Sequence, residues 1–181
     1  VLDDSFALGF KRKGTWWMVE NLDKDSGLFD KELEDSLNNI RTYLKETKLP
    51  AWHPPKKIGF FRHLVVRKSY TNNQLLFNIV TSSKGLKKFD AKKFGEFLNG
   101  LLHKRFAGLI HTINDDIADR EKLDKGSSKL VLGKKTIEEN INDLDFEISM
   151  QSFFQTNPRC AELLYSKVID YLKESAIESD H

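Results

Sequence analysis

Apolar positions recur along this chain in two rhythms, one of two residues and one of three to four. Phe6, Leu8 and Phe10 alternate, and Trp16-Trp17-Met18-Val19 follow after Lys13-Gly14. That pattern predicts a strand pair over residues 6–22 with its turn at the glycine. Leu33, Leu37, Ile40 and Leu44 fall on one helical face and Asp30 is placed to cap its start. Residues 30–48 therefore read as a helix, ended by Leu49-Pro50. Pro54-Pro55 predicts extended chain beyond it. Phe60 to Arg67 and Leu75 to Thr81 read as two strands of a hairpin, joined through Thr71-Asn72-Asn73. A second helix, capped by Asp90, is expected over about 91–105, with Phe94, Phe97, Leu98, Leu101 and Leu102 on one face. Leu109 to Asn114, Leu130 to Gly133 and Thr136 to Ile148 are strand-like. Residues 115–129 are polar and end in Lys125-Gly126-Ser127-Ser128-Lys129, the pattern of a mobile loop. Asn157-Pro158 joins a capping residue to a proline at the first helical position, and apolar spacing carries a third helix to about 174. Strands come in blocks with helices between them. The expected class is α+β, a mostly antiparallel sheet with two or three packed helices.

Composition narrows the function classes. The 181 residues are 39% hydrophobic, enough for one good core or one domain with an appendage. Lys+Arg (29) and Asp+Glu (27) nearly cancel, so only local clustering of charge can argue for nucleic acid. Cys160 is the single cysteine, which excludes an internal disulfide framework and a cysteine-rich zinc site. The five histidines show no metal-ligand spacing. No apolar run approaches the roughly 20 residues needed to cross a bilayer, and no secretory signal is visible. A cytoplasmic protein is the expectation. The chain opens on Val rather than Met, and a processed product or excised fragment is expected.

Local chemistry concentrates in a few segments. Lys56 to Lys68 interleaves five Lys/Arg and His63 with Phe60 and Phe61 on an expected strand. Cations neutralise phosphates and aromatic faces stack unpaired bases. On strict alternation Arg62 shares a face with Phe60 and Leu64, interrupting an apolar side. A half-buried hairpin with a solvated basic edge is the plainer reading. Lys11-Arg12-Lys13 beside Trp16-Trp17 has the same character. Lys84, Lys87, Lys88, Lys92 and Lys93 cluster at a helix N-terminus, where the dipole disfavours cations. Asn114-Asp115-Asp116 with Asp119 has the oxygens for Mg²⁺, but a surface loop is the better account. Cys160 lies in the first turn of a helix with no histidine nearby, and reads as a packing residue rather than a nucleophile. No Gly-rich phosphate loop, Ser-His-Asp arrangement or zinc-protease motif occurs. Ser152-Phe153-Phe154-Gln155-Thr156-Asn157 sits at a strand-to-helix junction. In extended chain one Phe packs inward while the other faces a ligand, and Gln155 offers donor and acceptors. A ligand site and an ordinary strand end with an Asn cap are about equally good readings.

Four segments, in order along nearly the whole chain, resemble the RNA uracil-5-methyltransferases. Leu8 to Trp16 is similar to that family's "GFHRRG" segment, and Gly59 to Arg67 to its basic "LRHLVIR" segment. Gly108 to Asn114 resembles its "SIVHNIN" strand, and Ser152 to Asn157 with Ala161 to Tyr165 the signature preceding its catalytic domain. The resemblance implies S-adenosylmethionine as methyl donor to the fifth ring carbon of a uridine in tRNA or rRNA. In that family a cysteine adds covalently to the neighbouring ring carbon, a general base removes the proton, and the uridine is unstacked first. It implies that Gln155 contacts the cofactor, that Arg62 and His63 belong to an RNA-facing central domain, and that Phe153 lies near rearranged bases. Asn157 supports the same site, and Arg67, Lys11 and Arg12 add phosphate contacts.

The chain also departs from the family. The family's "DLYCG" cofactor loop, catalytic cysteine and base are expected beyond His181, so no catalytic residue is assigned here and Cys160 does not take that role. The small RNA-binding domain usual upstream in the family is expected to be absent from these residues. Asp25-Ser26-Gly27 stands where a cysteine is common, so no cluster-binding arrangement is supported. The expected division is residues 1–151 as the central RNA-facing domain, and 152–181 as the linker motif and first helix toward a Rossmann-like domain in cis. By itself the chain is expected to lack methyltransferase activity, with no metal and no membrane partner. The alternatives are a stand-alone RNA-binding module or a protein-interaction domain.

Overall fold

The first alternating segment folds into a short antiparallel hairpin, β1 (Gly9–Lys11) against β2 (Val19–Asn21), turning through Gly14 at φ +82. The structure, a computed structural model, describes residues 6–116 and 127–179. Helix α1 (Lys31–Glu46) begins where Asp30 accepts the Leu33 amide, and it turns Leu33, Ile40 and Leu44 inward. Pro54 to Lys56 form a turn of 3₁₀ helix rather than extended chain. Proline's fixed φ suits that turn, and the His53 ring nitrogen Nδ1 accepts the Lys56 amide at 3.2 Å to close it.

Strand β3 (Phe61–Lys68) pairs antiparallel with β4 (Leu75–Thr81), the expected hairpin. Helix α2 (Ala91–Leu102) then crosses over, and β5 (Phe106–Ile113) returns beside β4 in parallel. Strand β6 (Ser127–Gly133) adds antiparallel to β5. The four-stranded sheet has the order β3-β4-β5-β6 and is mixed. Most strand pairs are antiparallel, as expected, but the β4–α2–β5 crossover makes the middle pair of this sheet parallel. Of the loop expected over 115–129, residues 127–129 begin β6, 115 and 116 lie outside regular structure, and 117–126 lie outside the described residues. Strands β7 (Thr136–Ile141) and β8 (Leu144–Ser149) form a separate hairpin, and α3 (Pro158–Ser179) follows.

Both faces of the sheet are covered, which explains why every residue of β4 is buried. On one face Phe77, Ile79 and Leu109 meet Leu33, Ile40 and Leu44 of α1 and Phe94, Leu98 and Leu102 of α2. On the other, Leu76 and Ala107 meet Ile137, Ile148 and Met150 around the β7–β8 hairpin. Gly108 marks a close approach within this sheet. A Cβ there would stand 2.1 Å from the Lys134 carbonyl oxygen, beside the bond from the Lys134 amide to Ala107. Gly108→Ala is expected to cost about 1–3 kcal/mol by overpacking backbone that cannot yield. Urea unfolding checks it, and a loss below about 0.5 kcal/mol would show that β6 can shift aside.

Candidate nucleic-acid interface

The basic strand does not alternate as its sequence suggests. Phe61 pairs with Thr81 but His63 pairs with Val80, so Arg62 is the extra residue of a β-bulge. Phe61 keeps the helix side with Leu64 and Val66, and His63, Val65 and Arg67 turn to the side of Leu76. Arg62, expected to interrupt an apolar face, leaves both ladders. Its Nη1 donates to the carbonyls of Asn114 (2.9 Å) and Asp116 (2.7 Å). Its guanidinium lies 4.3 Å from the centroid of the Trp52 ring. Arg62 thus ties the chain leaving β5 to the start of β3.

Lys11 and Arg12 sit on the β1–β2 hairpin, both exposed, with Arg12 Nε 3.3 Å from Glu20. The hairpin docks at the Arg62 end of β3. Phe6 meets the Phe61 ring edge-on, and Trp17 stacks at 4.8 Å on His53, the neighbour of Trp52. Trp16 stays largely exposed beside these cations. Trp52 was not singled out in the sequence, where its only signal is an aromatic between two prolines.

Arg67 lies five residues along the strand, about 16 Å away. Its Nη2 donates to the carbonyl of Ser152, 85 positions on in sequence. This contact brings the basic strand against Ser152 to Asn157. Phe154 packs with Phe146 and the second core, while Phe153 is 88% exposed, so the two rings divide as extended chain predicts. Gln155 is half-buried, and its amide makes no hydrogen bond among the described residues. Asn157 Oδ1 accepts the Cys160 amide at 3.1 Å and caps α3, with Pro158 buried behind it. The candidate residues therefore form two groups: Lys11, Arg12 and Arg62 at one end of β3, and Arg67, Phe153, Gln155 and Asn157 at the other. His63 lies half-buried between them.

Other candidates resolve into structure. His111 packs edge-on to Phe89 and bonds Thr81 Oγ1 at 2.8 Å. Burial pushes its pKa down, so it is neutral near pH 7 and offers no cation to RNA. Asp115 accepts the Ser83 amide at 2.7 Å and Asn114 accepts the Asp116 amide at 2.7 Å. Asp119 lies outside the described residues. No group of three or more His, Cys, Asp or Glu able to hold a metal occurs among the described residues. No described helix is long and apolar enough to cross a membrane. Cys160 is exposed, which corrects its reading as a packing residue.

No protein-family model matches the chain. A Clostridium acetobutylicum protein named as an RNA methyltransferase is 34% identical over 173 residues, spanning 95% of this chain and 37% of that protein. A tRNA (uracil(54)-C(5))-methyltransferase of Pyrococcus abyssi is 26% identical over 171 residues, 94% of this chain and 38% of that one. The crystal structure of Pyrococcus abyssi tRNA (uracil-54, C5)-methyltransferase, a complex with S-adenosyl-L-homocysteine, superposes with a TM-score of 0.61 at 25% identity. That match covers 90% of this chain and 37% of the solved one. The chain thus spans little more than a third of the length of these relatives. Over the region it spans, the chain is similar to RNA methyltransferases, among them a tRNA (uracil-54, C5)-methyltransferase.

Proposed function

We propose that this chain is the RNA-facing central part of an S-adenosylmethionine-dependent RNA uracil-5-methyltransferase acting on tRNA or rRNA. The observation that carries this reading is the bond from Arg67 to the Ser152 carbonyl. It joins the basic strand to the Ser152–Asn157 motif and leaves Phe153 exposed at the junction. Lys11, Arg12, Arg62, His63 and Arg67 serve the phosphates or hold the backbone that meets them, and Phe153 stacks on unpaired bases. Asn157 positions the junction by capping α3.

Gln155 fits a cofactor contact, because its half-buried amide has no protein partner among the described residues. S-adenosylmethionine would supply the methyl group for the fifth carbon of a uridine. Residues 1–151 form the RNA-facing unit in this reading, and 152–181 lead toward a catalytic domain in cis. Support for that domain comes from α3, whose Leu163, Leu164, Val168, Ile169 and Leu172 are all between 44% and 74% exposed. Apolar stripes of that width are normally covered. The nucleophile and the main cofactor loop belong to that domain, and these 181 residues alone transfer no methyl group.

The test is a fluorescence titration of the chain with a labelled tRNA transcript at 50 and 200 mM salt. With about three phosphate contacts, affinity is expected to fall roughly 20-fold between the two conditions. No label should pass from S-adenosylmethionine to the RNA. Absence of RNA binding would overturn the RNA-facing role, and methylation by the chain alone would overturn the division of labour.

A further inference from the structure

The sheet face carrying His63 and Arg67 also holds an open cleft of about 510 Å³, between β4–β6 and the chain around Met150. Its size falls within the ~300–1,000 Å³ range of small-ligand sites. At its base is an asparagine in the otherwise apolar run Leu75 to Val80. Asn78 is 4% exposed, where the pattern would place a β-branched apolar residue.

The hydrogen bonds around Asn78 have one consistent direction. Thr112 Oγ1 donates to Asn78 Oδ1 at 2.9 Å, and the Thr112 and Ser128 hydroxyls are 2.8 Å apart. Thr112 has one proton and gives it to Asn78, so Ser128 is the donor in the second bond. The chain Ser128 to Thr112 to Asn78 fixes the amide with its Nδ2 hydrogens turned away from Thr112. Among the described residues nothing accepts from Nδ2. Nδ2 therefore opens on the cleft, where a ligand or water can accept from it. Ser128 oxygen remains as an acceptor. Ile110, Leu130 and Met150 give the cleft apolar wall, and Lys135 and Gln151 stand on its exposed rim. Lys129 also borders it, at the strand position opposite His111, whose ring lies on the helix side. No carboxylate lines the cleft among the described residues.

We infer that this cleft takes one nucleotide of the RNA. Its base lies against Met150 and Leu130, with a ring acceptor toward Asn78 Nδ2 and a donor toward Ser128, and its phosphate lies near Lys135. The inference rests on the RNA-facing reading above and adds to it a base-reading site distinct from Phe153. Arg67 and Ser152 connect the two places, since Ser152 follows Gln151 on the rim.

The test measures binding of a labelled tRNA transcript to the whole 181-residue protein, with 4-thiouridine photocrosslinking to map contacts. Asn78→Asp keeps the acceptor for Thr112 but removes the free donor, and is expected to weaken binding roughly tenfold. Lys135→Ala, on the exposed rim, is expected to weaken it about threefold, while Lys45→Ala on α1 leaves it unchanged. Crosslinks are expected in peptides covering 127–136 or 149–152. If Asn78→Asp does not fold, Lys135→Ala and the crosslink map decide the matter. Wild-type RNA binding with crosslinks confined to 11–17 and a silent Lys135→Ala would overturn the cleft while leaving the RNA-facing role intact. Failure of the wild type to bind RNA would overturn both.

Discussion

Asp30→Ala is expected to lower the free energy of unfolding by about 3–5 kcal/mol, the range for breaking one partner out of a buried ion pair. Asp30 is only 5% exposed and holds four parts of the fold together. One oxygen accepts the Leu33 amide at 3.0 Å and caps α1. Arg105, just after α2, grips both oxygens at 2.9 and 2.8 Å, and Lys68 at the end of β3 reaches one at 2.7 Å. Arg105 also donates to the Asn73 carbonyl in the β3–β4 turn. Alanine would remove the cap, take the carboxylate from Lys68 (18% exposed) and leave Arg105 (12% exposed) with Glu32 as its remaining carboxylate partner. Chemical denaturation measures the loss, and a value under 1 kcal/mol would show that water replaces the carboxylate without penalty.

The same cluster sets an acid limit. Burial alone would raise the Asp30 pKa, but the bonds from Arg105, Lys68 and the Leu33 amide outweigh it and hold the carboxyl far below its ordinary 3.8. A depressed folded pKa means the stabilisation is complete above the unfolded value and lost as pH falls beneath it. Wild-type stability should therefore decline as pH drops below about 4. Asp30→Asn should show a shallower decline from a lower starting stability.

Glu139→Ala is expected to cost about 2–4 kcal/mol, because it strands two backbone amides at once. Glu139 is 2% exposed on β7, and its carboxylate accepts the amides of Tyr70 (2.7 Å) and Thr71 (2.9 Å) and the Thr71 hydroxyl. Ser69 Oγ donates to the Glu138 carbonyl at 2.6 Å, and the Asn140 amide donates to Thr71 Oγ1 at 2.9 Å. These bonds fasten the β7–β8 hairpin to the turn after β3. That hairpin carries Ile148 and leads into Met150, and so the seat of Phe154. Hydrogen exchange at the Tyr70 and Thr71 amides should accelerate together with exchange in β7. Glu139→Gln, which retains one acceptor, should fall between the two. Unchanged exchange at Tyr70 in the alanine variant would mean another group satisfies that amide.

Much of the fold was legible in the chain because the signals are local. Asp30 and Asp90 each accept the amide three residues on, as N-caps before periodic apolar runs do. Phe153 and Phe154 separate to opposite sides for the simple reason that neighbouring side chains in extended backbone diverge. The parallel placement of β5 beside β4 was not legible. Apolar runs such as Leu75 to Val80 are the same in either direction, and the direction follows from where α2 can pack. The bulge at Arg62 was hidden for a similar reason. Its partners are the carbonyls of Asn114 and Asp116, more than fifty residues away.

The chain's own pattern thus settled its helices, its hairpins, and the resemblance that four ordered segments carry. These depend on the 3.6 and 2.0 periods and on caps, which act within a few residues. Which candidate residues stand together was a matter of folding. Arg67 meets Ser152, Arg62 turns aside to brace a loop, and Asn78 comes to lie at the floor of a cleft with its amide donor unused. Those relations join residues tens of positions apart. They exist only once the sheet register, the bulge and the β7–β8 hairpin are in place.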